Sequence, residues 1–148
     1  MTDINIHKDE YCISTDKAKL DLDAIHEFLS TQAYWCINIP KEKVQTSIEN
    51  SLCFGVYHDR KQIGFARIIS DLSTIAYLSD VYILEEYRGR GLSKWLMETV
   101  MNYPQLQGLR RWILLTGDAH GLYNQFGWTG ISEPAKWMEI HNKHVYSK

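Results

Sequence analysis

The chain has 148 residues, of which 45% are hydrophobic and 23% charged, a composition that excludes a disordered or low-complexity polypeptide. Its 16 basic and 18 acidic side chains give a net charge of −2, so we expect neither nucleic acid nor a membrane as a partner. No apolar run approaches the ~20 residues of a membrane span, and the N-terminus lacks the apolar stretch of a signal peptide. We therefore expect a cytoplasmic protein with one domain over residues 1–148.

The first half of the chain predicts a strand, two helices and a hairpin. Tyr11–Ser14 is the strand, and Asp21 is placed to cap the first helix, whose apolar residues Leu22, Ile25 and Leu29 recur at helical spacing. Pro40 suits the first position of the second helix. The runs Leu52–Tyr57 and Gln62–Ser70 flank a short polar turn, which is typical of an antiparallel hairpin.

The second half predicts a third hairpin strand, two helices and three further strands. Ile75–Leu84 continues the hairpin sheet, and an amphipathic helix from Leu92 to Tyr103 ends before Pro104. The later elements are a strand at Arg111–Thr116, a helix from an Asp118 cap to Phe126 with Gly127 as its C-cap glycine, and weak closing strands at Trp128–Ile131 and Lys136–Ile140. The order predicts an α/β (α+β) fold around a mixed sheet.

A glycine-rich loop between the third hairpin strand and the amphipathic helix carries the clearest chemical signal. It reads Arg88-Gly89-Arg90-Gly91-Leu92-Ser93-Lys94. The first turn of a helix has unpaired N–H groups and a positive dipole end, and glycines let an anion approach the backbone. The arrangement therefore favours a pyrophosphate ligand, although a tight strand-to-helix turn with two glycines is the simpler alternative.

Three phosphate motifs can be compared with this loop. The P-loop pattern fails because Lys94 follows Ser93 instead of preceding it, and the dinucleotide fingerprint fails because its third glycine position is occupied by Lys94. The pattern [Q/R]-x-x-G-x-[G/A] of acyl-CoA pyrophosphate loops fits from Arg88 to Ser93, with Ser93 in place of the final Gly or Ala.

A second motif is the segment Asp118-Ala-His-Gly-Leu-Tyr123-Asn-Gln-Phe-Gly127-Trp128. With this segment and the loop, the sequence resembles the GNAT superfamily of acyl-CoA-dependent N-acyltransferases. The resemblance extends from about Tyr11 to Ile140. Glu85 departs from the proline that many members carry. The resemblance implies a mostly antiparallel sheet of about six or seven strands with about four helices. It also implies acetyl-CoA as co-substrate, bound by the backbone of Val81, Tyr82 and Ile83 and by the loop residues Arg88, Gly89, Arg90, Gly91, Leu92, Ser93 and Lys94.

Two residues are candidates for acid–base chemistry. The resemblance places Tyr123 near the CoA sulfur, and a phenol, with a pKa near 10, stays protonated at neutral pH and can protonate a departing thiolate. Asp80 is the first candidate for the base that deprotonates the amine, ahead of His120 and Glu139. The alternative for Tyr123 is helix packing, and for Asp80 it is hydrogen bonding to nearby backbone.

Other sites have weaker support. Cys36 lacks the His and Asn partners of a cysteine nucleophile, the three cysteines contain no C-x-x-C motif, and His141 and His144 lack further metal ligands, so no metal is expected. Tyr34 and Trp35 lie where the superfamily usually covers the acceptor pocket.

The predicted function is acetyl transfer from acetyl-CoA to a primary amine by direct attack in a ternary complex. The alternatives are a non-catalytic acyl-CoA sensor, which needs the loop but not Tyr123, and a nucleic-acid or protein interaction domain. The acceptor, the acyl group and the oligomeric state stay open, although homodimers are common in the superfamily.

Overall fold

Within the described chain, six strands form one sheet whose spatial order follows the sequence. The structure is a computed structural model that describes residues 2–147. The strands are β1 (Asn5–Lys8), β2 (Tyr11–Ser14), β3 (Leu52–His58), β4 (Lys61–Ser70), β5 (Ile75–Ile83) and β6 (Arg111–Leu114). All neighbours are antiparallel except β5 and β6, which run parallel. The predicted mixed, mostly antiparallel sheet is confirmed.

Four α-helices of residues 2–147 flank the sheet: α1 (Leu22–Thr31), α2 (Lys41–Glu49), α3 (Leu92–Met101) and α4 (His120–Asn124). The Asp21 carboxylate accepts from the Ala24 N–H at 3.0 Å, which confirms the predicted cap of α1. Pro40 is the N-cap of α2 and not its first residue. None of the helices within residues 2–147 is long and apolar enough to cross a membrane.

Each face of the sheet is covered by its own pair of helices. On one face, Leu96 and Val100 of α3 and Tyr123 of α4 pack against sheet residues such as Ile68 and Leu78. On the other face, α1 and α2 bury a cluster that includes Ile25, Leu29, Val44 and Phe65. The helices and the alternating strand residues therefore build two cores that share one sheet.

A β-bulge interrupts β5 at Asp80 and Val81. The register with β4 passes from Arg67 opposite Ser79 to Phe65 opposite Tyr82, so β5 has one extra residue there, and Asp80 has a φ of 51°. Because of the extra residue, Tyr82 lies on the same face as Ser79, where its ring stacks on Phe28 with centroids 3.9 Å apart.

The sequence predictions fail mainly near the chain ends. The strand β1 was not predicted, and the predicted strands Trp128–Ile131 and Lys136–Ile140 are absent, because these residues form no ladder within the described chain. Asp118 does not cap α4, since the N-cap is Ala119. Gly127 does end that helical segment: its φ is 88°, and the N–H groups of Gly127 and Trp128 donate to the Asn124 and Tyr123 carbonyls, as in a Schellman motif.

Candidate active site

The site begins where β5 and β6 part. β6 pairs with β5 only from Ile75 to Leu78, whereas β5 continues to Ile83 with β4 alone as its partner. The backbone of Val81, Tyr82 and Ile83 therefore borders a gap in the sheet, beside the bulge at Asp80. Ligands in open sheets bind where neighbouring strands diverge, so this gap is the natural entry for one.

The loop that follows β5 is shaped by two glycines. Gly89 and Gly91 have φ values of 78° and 77°, a region that residues with a side chain rarely adopt. A Cβ atom built on either glycine would meet no protein atom within 4 Å. The glycines thus set the turn into α3 and leave open space directly over the loop backbone.

Six successive backbone N–H groups of this loop have no protein acceptor within residues 2–147. They belong to Gly89, Arg90, Gly91, Leu92, Ser93 and Lys94; the N–H groups on either side, at Arg88 and Trp95, are bonded to the Glu85 and Gly91 carbonyls. Gly91 is the N-cap of α3 and provides no side-chain cap. The free donors and the positive end of the helix dipole are features that suit an anionic ligand.

The three cationic side chains of the loop have different positions. Arg88 Nε donates to the Ile83 carbonyl at 3.0 Å, and Arg90 donates to the Tyr11 hydroxyl at 2.8 Å and lies 5.1 Å from the Tyr87 ring centre. Lys94 has no ion pair or hydrogen bond within the described chain. Arg90 therefore fixes the loop to β2, whereas Lys94 is available to an anionic ligand.

A cleft of about 200 Å³ lies between this loop and α4. Seven of the ten predicted cofactor residues line it, namely Ile83, Arg88, Gly89, Gly91, Leu92, Ser93 and Lys94, whereas Val81, Tyr82 and Arg90 do not. Tyr87, Leu122 and Gln125 also line it and were missed by the sequence prediction. Leu122 and Gln125 lie within the segment Asp118–Trp128 that the sequence analysis singled out for Tyr123. The same segment could therefore have identified them as lining residues.

Tyr123 lies on α4 next to the cleft. Its side chain is 8% exposed, and its ring is 5.9 Å from that of Trp128. Burial raises the pKa of Tyr123 to about 12, with smaller contributions from Asp118 and Tyr34. Its hydroxyl has no protein hydrogen-bond partner within residues 2–147. Tyr123 is thus a neutral donor whose proton is not committed to another protein group.

Asp80 is held by two partners across the sheet face. Its Oδ2 accepts from Arg67 Nε at 2.9 Å, and its Oδ1 accepts from Trp35 Nε1 at 2.9 Å. The two side chains of the ion pair are only 9% and 15% exposed. Arg67 also donates to the Ser51 hydroxyl at 3.0 Å. Both carboxylate oxygens are therefore already engaged in this structure.

The segment between α1 and α2 reaches both sides of the strand gap. Trp35 contacts Asp80 on β5, and the Tyr34 hydroxyl accepts from the Gly117 N–H at 2.9 Å, beyond the end of β6. The two rings meet edge to face with centroids 5.0 Å apart, and both stay partly exposed. Tyr34 and Trp35 thus form an aromatic wall at the gap.

The weaker candidates lack the surroundings that their proposed chemistry needs. Cys36 is buried and donates to the Leu29 carbonyl, and burial raises its pKa to about 12, which makes it a poor nucleophile. His120 and Glu139 are exposed. Within residues 2–147 no three His, Cys, Asp or Glu side chains gather as a metal site, the region of His141 and His144 included.

Comparison with known proteins gives one consistent answer. The profile of the Acetyltransferase (GNAT) family matches residues 22–128. The protein FG08082 of Gibberella zeae, which is named as an acetyltransferase, is 34% identical to this chain over 143 residues. The alignment covers 82% of this chain and 80% of FG08082.

Solved structures agree. A GNAT-family protein from Xanthomonas campestris pv. campestris, described as an acetyltransferase, has 48% identity and a TM-score of 0.92, covering 96% of this chain and all of its own. A GNAT acetyltransferase from Elizabethkingia anophelis with bound acetyl-CoA has 14% identity and a TM-score of 0.60, over 80% and 76% of the chains, which shows a shared fold. The chain belongs to the GNAT acetyltransferase family.

Proposed function

We propose that this protein is an N-acetyltransferase that moves an acetyl group from acetyl-CoA to the primary amine of a small acceptor. The observation that carries the proposal is the run of six free N–H donors at the start of α3, beside the gap between β5 and β6. The acetyl-CoA bound to the Elizabethkingia relative supports the choice of ligand.

The residues present fit acetyl-CoA. The N–H groups from Gly89 to Lys94 would hold its pyrophosphate, and the Lys94 ammonium would add charge. The backbone of Val81, Tyr82 and Ile83 on the side away from β4 would bind the pantetheine arm and polarise the thioester carbonyl, because these residues have no partner strand on their β6 side.

The transfer needs two proton movements. As the acceptor nitrogen bonds to the acetyl carbon and the C–S bond breaks, nitrogen loses a proton to water or a base and sulfur gains one. Full transfer from Tyr123, with its pKa of about 12, to a thiolate whose acid has a pKa of about 8.5 runs uphill. Tyr123 therefore acts best as a hydrogen-bond donor that stabilises the sulfur while charge develops, with solvent supplying the final proton.

Asp80 has two possible roles in this scheme. A general base needs a carboxylate lone pair directed at the amine, whereas both Asp80 oxygens already accept hydrogen bonds, one from Arg67 and one from Trp35, and protonation of the carboxylate would remove its ion pair with Arg67. This arrangement favours a positioning role, in which Asp80 fixes Trp35 at the acceptor side of the gap. The amine would then lose its proton to water before or during attack.

The first experiment is a thermal-shift titration with acetyl-CoA, CoA and ATP. Ligand at about 100 times its dissociation constant adds about 2.7 kcal/mol, so acetyl-CoA and CoA should raise Tm by several degrees and ATP should not. Lys94→Gln should weaken acetyl-CoA binding about fivefold at low salt, and Lys43→Gln on α2 should leave it unchanged. The absence of any shift with acetyl-CoA would contradict the proposal.

A second experiment separates an enzyme from a non-catalytic acyl-CoA sensor. The protein is incubated with acetyl-CoA and a panel of amines, and free thiol is measured. Amine-dependent thiol release is expected for the enzyme. The panel includes amino acids, polyamines and aminoglycosides. If the protein binds acetyl-CoA but releases thiol with none of these amines, the sensor is favoured.

A further inference from the structure

The aromatic wall of Tyr34 and Trp35 is open to solvent although the polar end of each ring is fixed. Tyr34 is 61% exposed and Trp35 is 45% exposed. The Tyr34 hydroxyl accepts from the Gly117 N–H, and the Trp35 indole N–H donates to Asp80, each at 2.9 Å. Because these bonds hold the two rings edge to face, the wall is a preformed surface for a ligand.

The wall and the cleft beside the glycine loop lie on opposite faces of the sheet. The segment that carries the wall is anchored in the core of α1 and α2 by its buried residues Ala33 and Cys36. The cleft is lined by Leu92 and Leu122, which belong to the core of α3 and α4. An acceptor at the wall would therefore reach the strand gap without displacing acetyl-CoA, as direct attack in a ternary complex requires.

One carboxylate beside the wall is not neutralised. Asp118 directly follows the residue that donates to the Tyr34 hydroxyl; it is exposed and forms no salt bridge within residues 2–147. Asp80, by contrast, is paired with Arg67 at 2.9 Å. Asp118 and Tyr34 both contribute to the raised pKa of Tyr123, so their field reaches the gap. These three charged groups leave one negative charge uncompensated.

The reaction itself determines which cation this surface can recognise. A primary amine must lose its proton to attack the thioester, so its nitrogen is neutral at the moment of reaction. Aromatic rings and an unpaired carboxylate attract a cation and offer a neutral amine little. A positive charge that they stabilise throughout the reaction must therefore belong to a second group of the acceptor.

We propose that the acceptor carries a second positive charge, which binds between the aromatic wall and Asp118 while its primary amine attacks the thioester. This inference rests on the proposed acetyl transfer and narrows its acceptor to diamines and similar dications. Trp35 and Asp118 are then specificity-determining residues, and an anionic acceptor is disfavoured by the uncompensated carboxylate.

The test compares three amines of four carbons each: 1,4-diaminobutane, butylamine and 4-aminobutyrate. Thiol release should give 1,4-diaminobutane a kcat/KM about tenfold above butylamine and roughly 100-fold above 4-aminobutyrate. Asp118→Asn and Trp35→Leu should each lower the ratio of diamine to monoamine about fivefold. Glu98→Gln on α3 is the matched control, because it removes the same charge from the other face of the sheet and should keep the ratio.

Binding without turnover separates this inference from the proposed function. Calorimetry with CoA-loaded protein should detect 1,4-diaminobutane, with about fivefold weaker binding in Asp118→Asn and unchanged binding in Glu98→Gln. This result without thiol release from acetyl-CoA would overturn the proposed transfer and support the cation site alone. Equal kcat/KM for the three amines, no detectable binding, or equal effects of Asp118→Asn and Glu98→Gln would overturn the cation site, even where acetyl transfer is observed.

Discussion

The two halves of β5 differ in what they contribute. From Ile75 to Leu78 the strand pairs with β4 and with β6 and buries Ala76 and Leu78, whereas from Ser79 to Ile83 it has β4 alone. The bulge at Asp80 separates these halves. The paired half stabilises the sheet, and the open half leaves one side of its backbone without a partner strand, so stability and activity should respond to different substitutions within one strand.

The largest effect on stability is expected in the paired half. Leu78 is 3% exposed inside the core under α3, so Leu78→Ala should lower the free energy of unfolding by about 3 kcal/mol. Denaturant unfolding measures this loss, and the half-exposed Ile75→Ala is the control, with a loss below about 1 kcal/mol. The folded Leu78→Ala protein should keep its turnover rate, and a large fall in that rate at full folding would contradict the division.

The largest effect on activity is expected across the gap from the open half. Tyr123→Phe removes the proposed hydrogen-bond donor to the sulfur and should lower the turnover rate about 100-fold, with little change in acetyl-CoA affinity or Tm. Tyr57→Phe is the control, because the buried Tyr57 hydroxyl has no partner in the described chain and lies away from the cleft. Equal losses of turnover and affinity in Tyr123→Phe would instead indicate a packing role.

A middle-sized effect is expected at the bulge itself. Asp80→Asn leaves the nearly buried Arg67 guanidinium without its counter-charge and should cost about 2 kcal/mol of stability. If Asp80 positions Trp35, Asp80→Asn should raise KM for the amine and keep most of the turnover rate. Trp35→Phe should then raise KM to a similar extent. A roughly 100-fold fall in turnover that Trp35→Phe does not share would instead identify Asp80 as the base.

A smaller effect is expected at the loop beyond β5. Gly91→Ala places a side chain at a φ of 77° and should cost about 1 kcal/mol of stability, and its methyl group would stand in the open space where the anion is proposed to bind. Gly121→Ala is the matched control, since Gly121 has an ordinary φ within α4 and should gain stability slightly. Equal effects of the two variants on acetyl-CoA affinity would contradict the proposed anion site.

The sequence predicts the parts of this molecule in which local pattern and tertiary packing agree. The spacing of Leu92, Trp95, Leu96 and Val100 predicts α3, and all four are buried in the structure. Gly89 and Gly91 predict the loop because only glycine adopts its backbone without strain. β1 was missed because its four residues are all exposed and show no apolar alternation.

Other features depend on contacts that a sequence does not contain. Trp35, Arg67 and Asp80 are far apart in the chain, and their network exists only because β4, β5 and the segment after α1 meet in space. The pattern at Lys136–Ile140 predicts a strand, yet within residues 2–147 this segment pairs with no strand of the sheet, although Trp137 lies beside Arg111 at the start of β6. Local pattern specifies the tendency to extend, and only the assembled sheet specifies the partner.

The smallest expected difference is in the pH dependence of the rate, where a buried and a solvated Tyr123 differ by a factor of about two at pH 10. The rate should rise with pH as the acceptor amine loses its proton. At pH 10 a tyrosine with an ordinary pKa of about 10 would be half ionised, whereas one with a pKa of about 12 is about 1% ionised and still donates. The pH profile should therefore show no fall up to pH 10. Because the folded-state pKa is raised, stability from the neutral phenol is present below pH 10 and lost only between about pH 10 and 12, so unfolding through this group does not affect the measurement. A twofold fall by pH 10 that Tyr123→Phe abolishes would show that the phenol is solvated and that the open half of β5 admits water to the site.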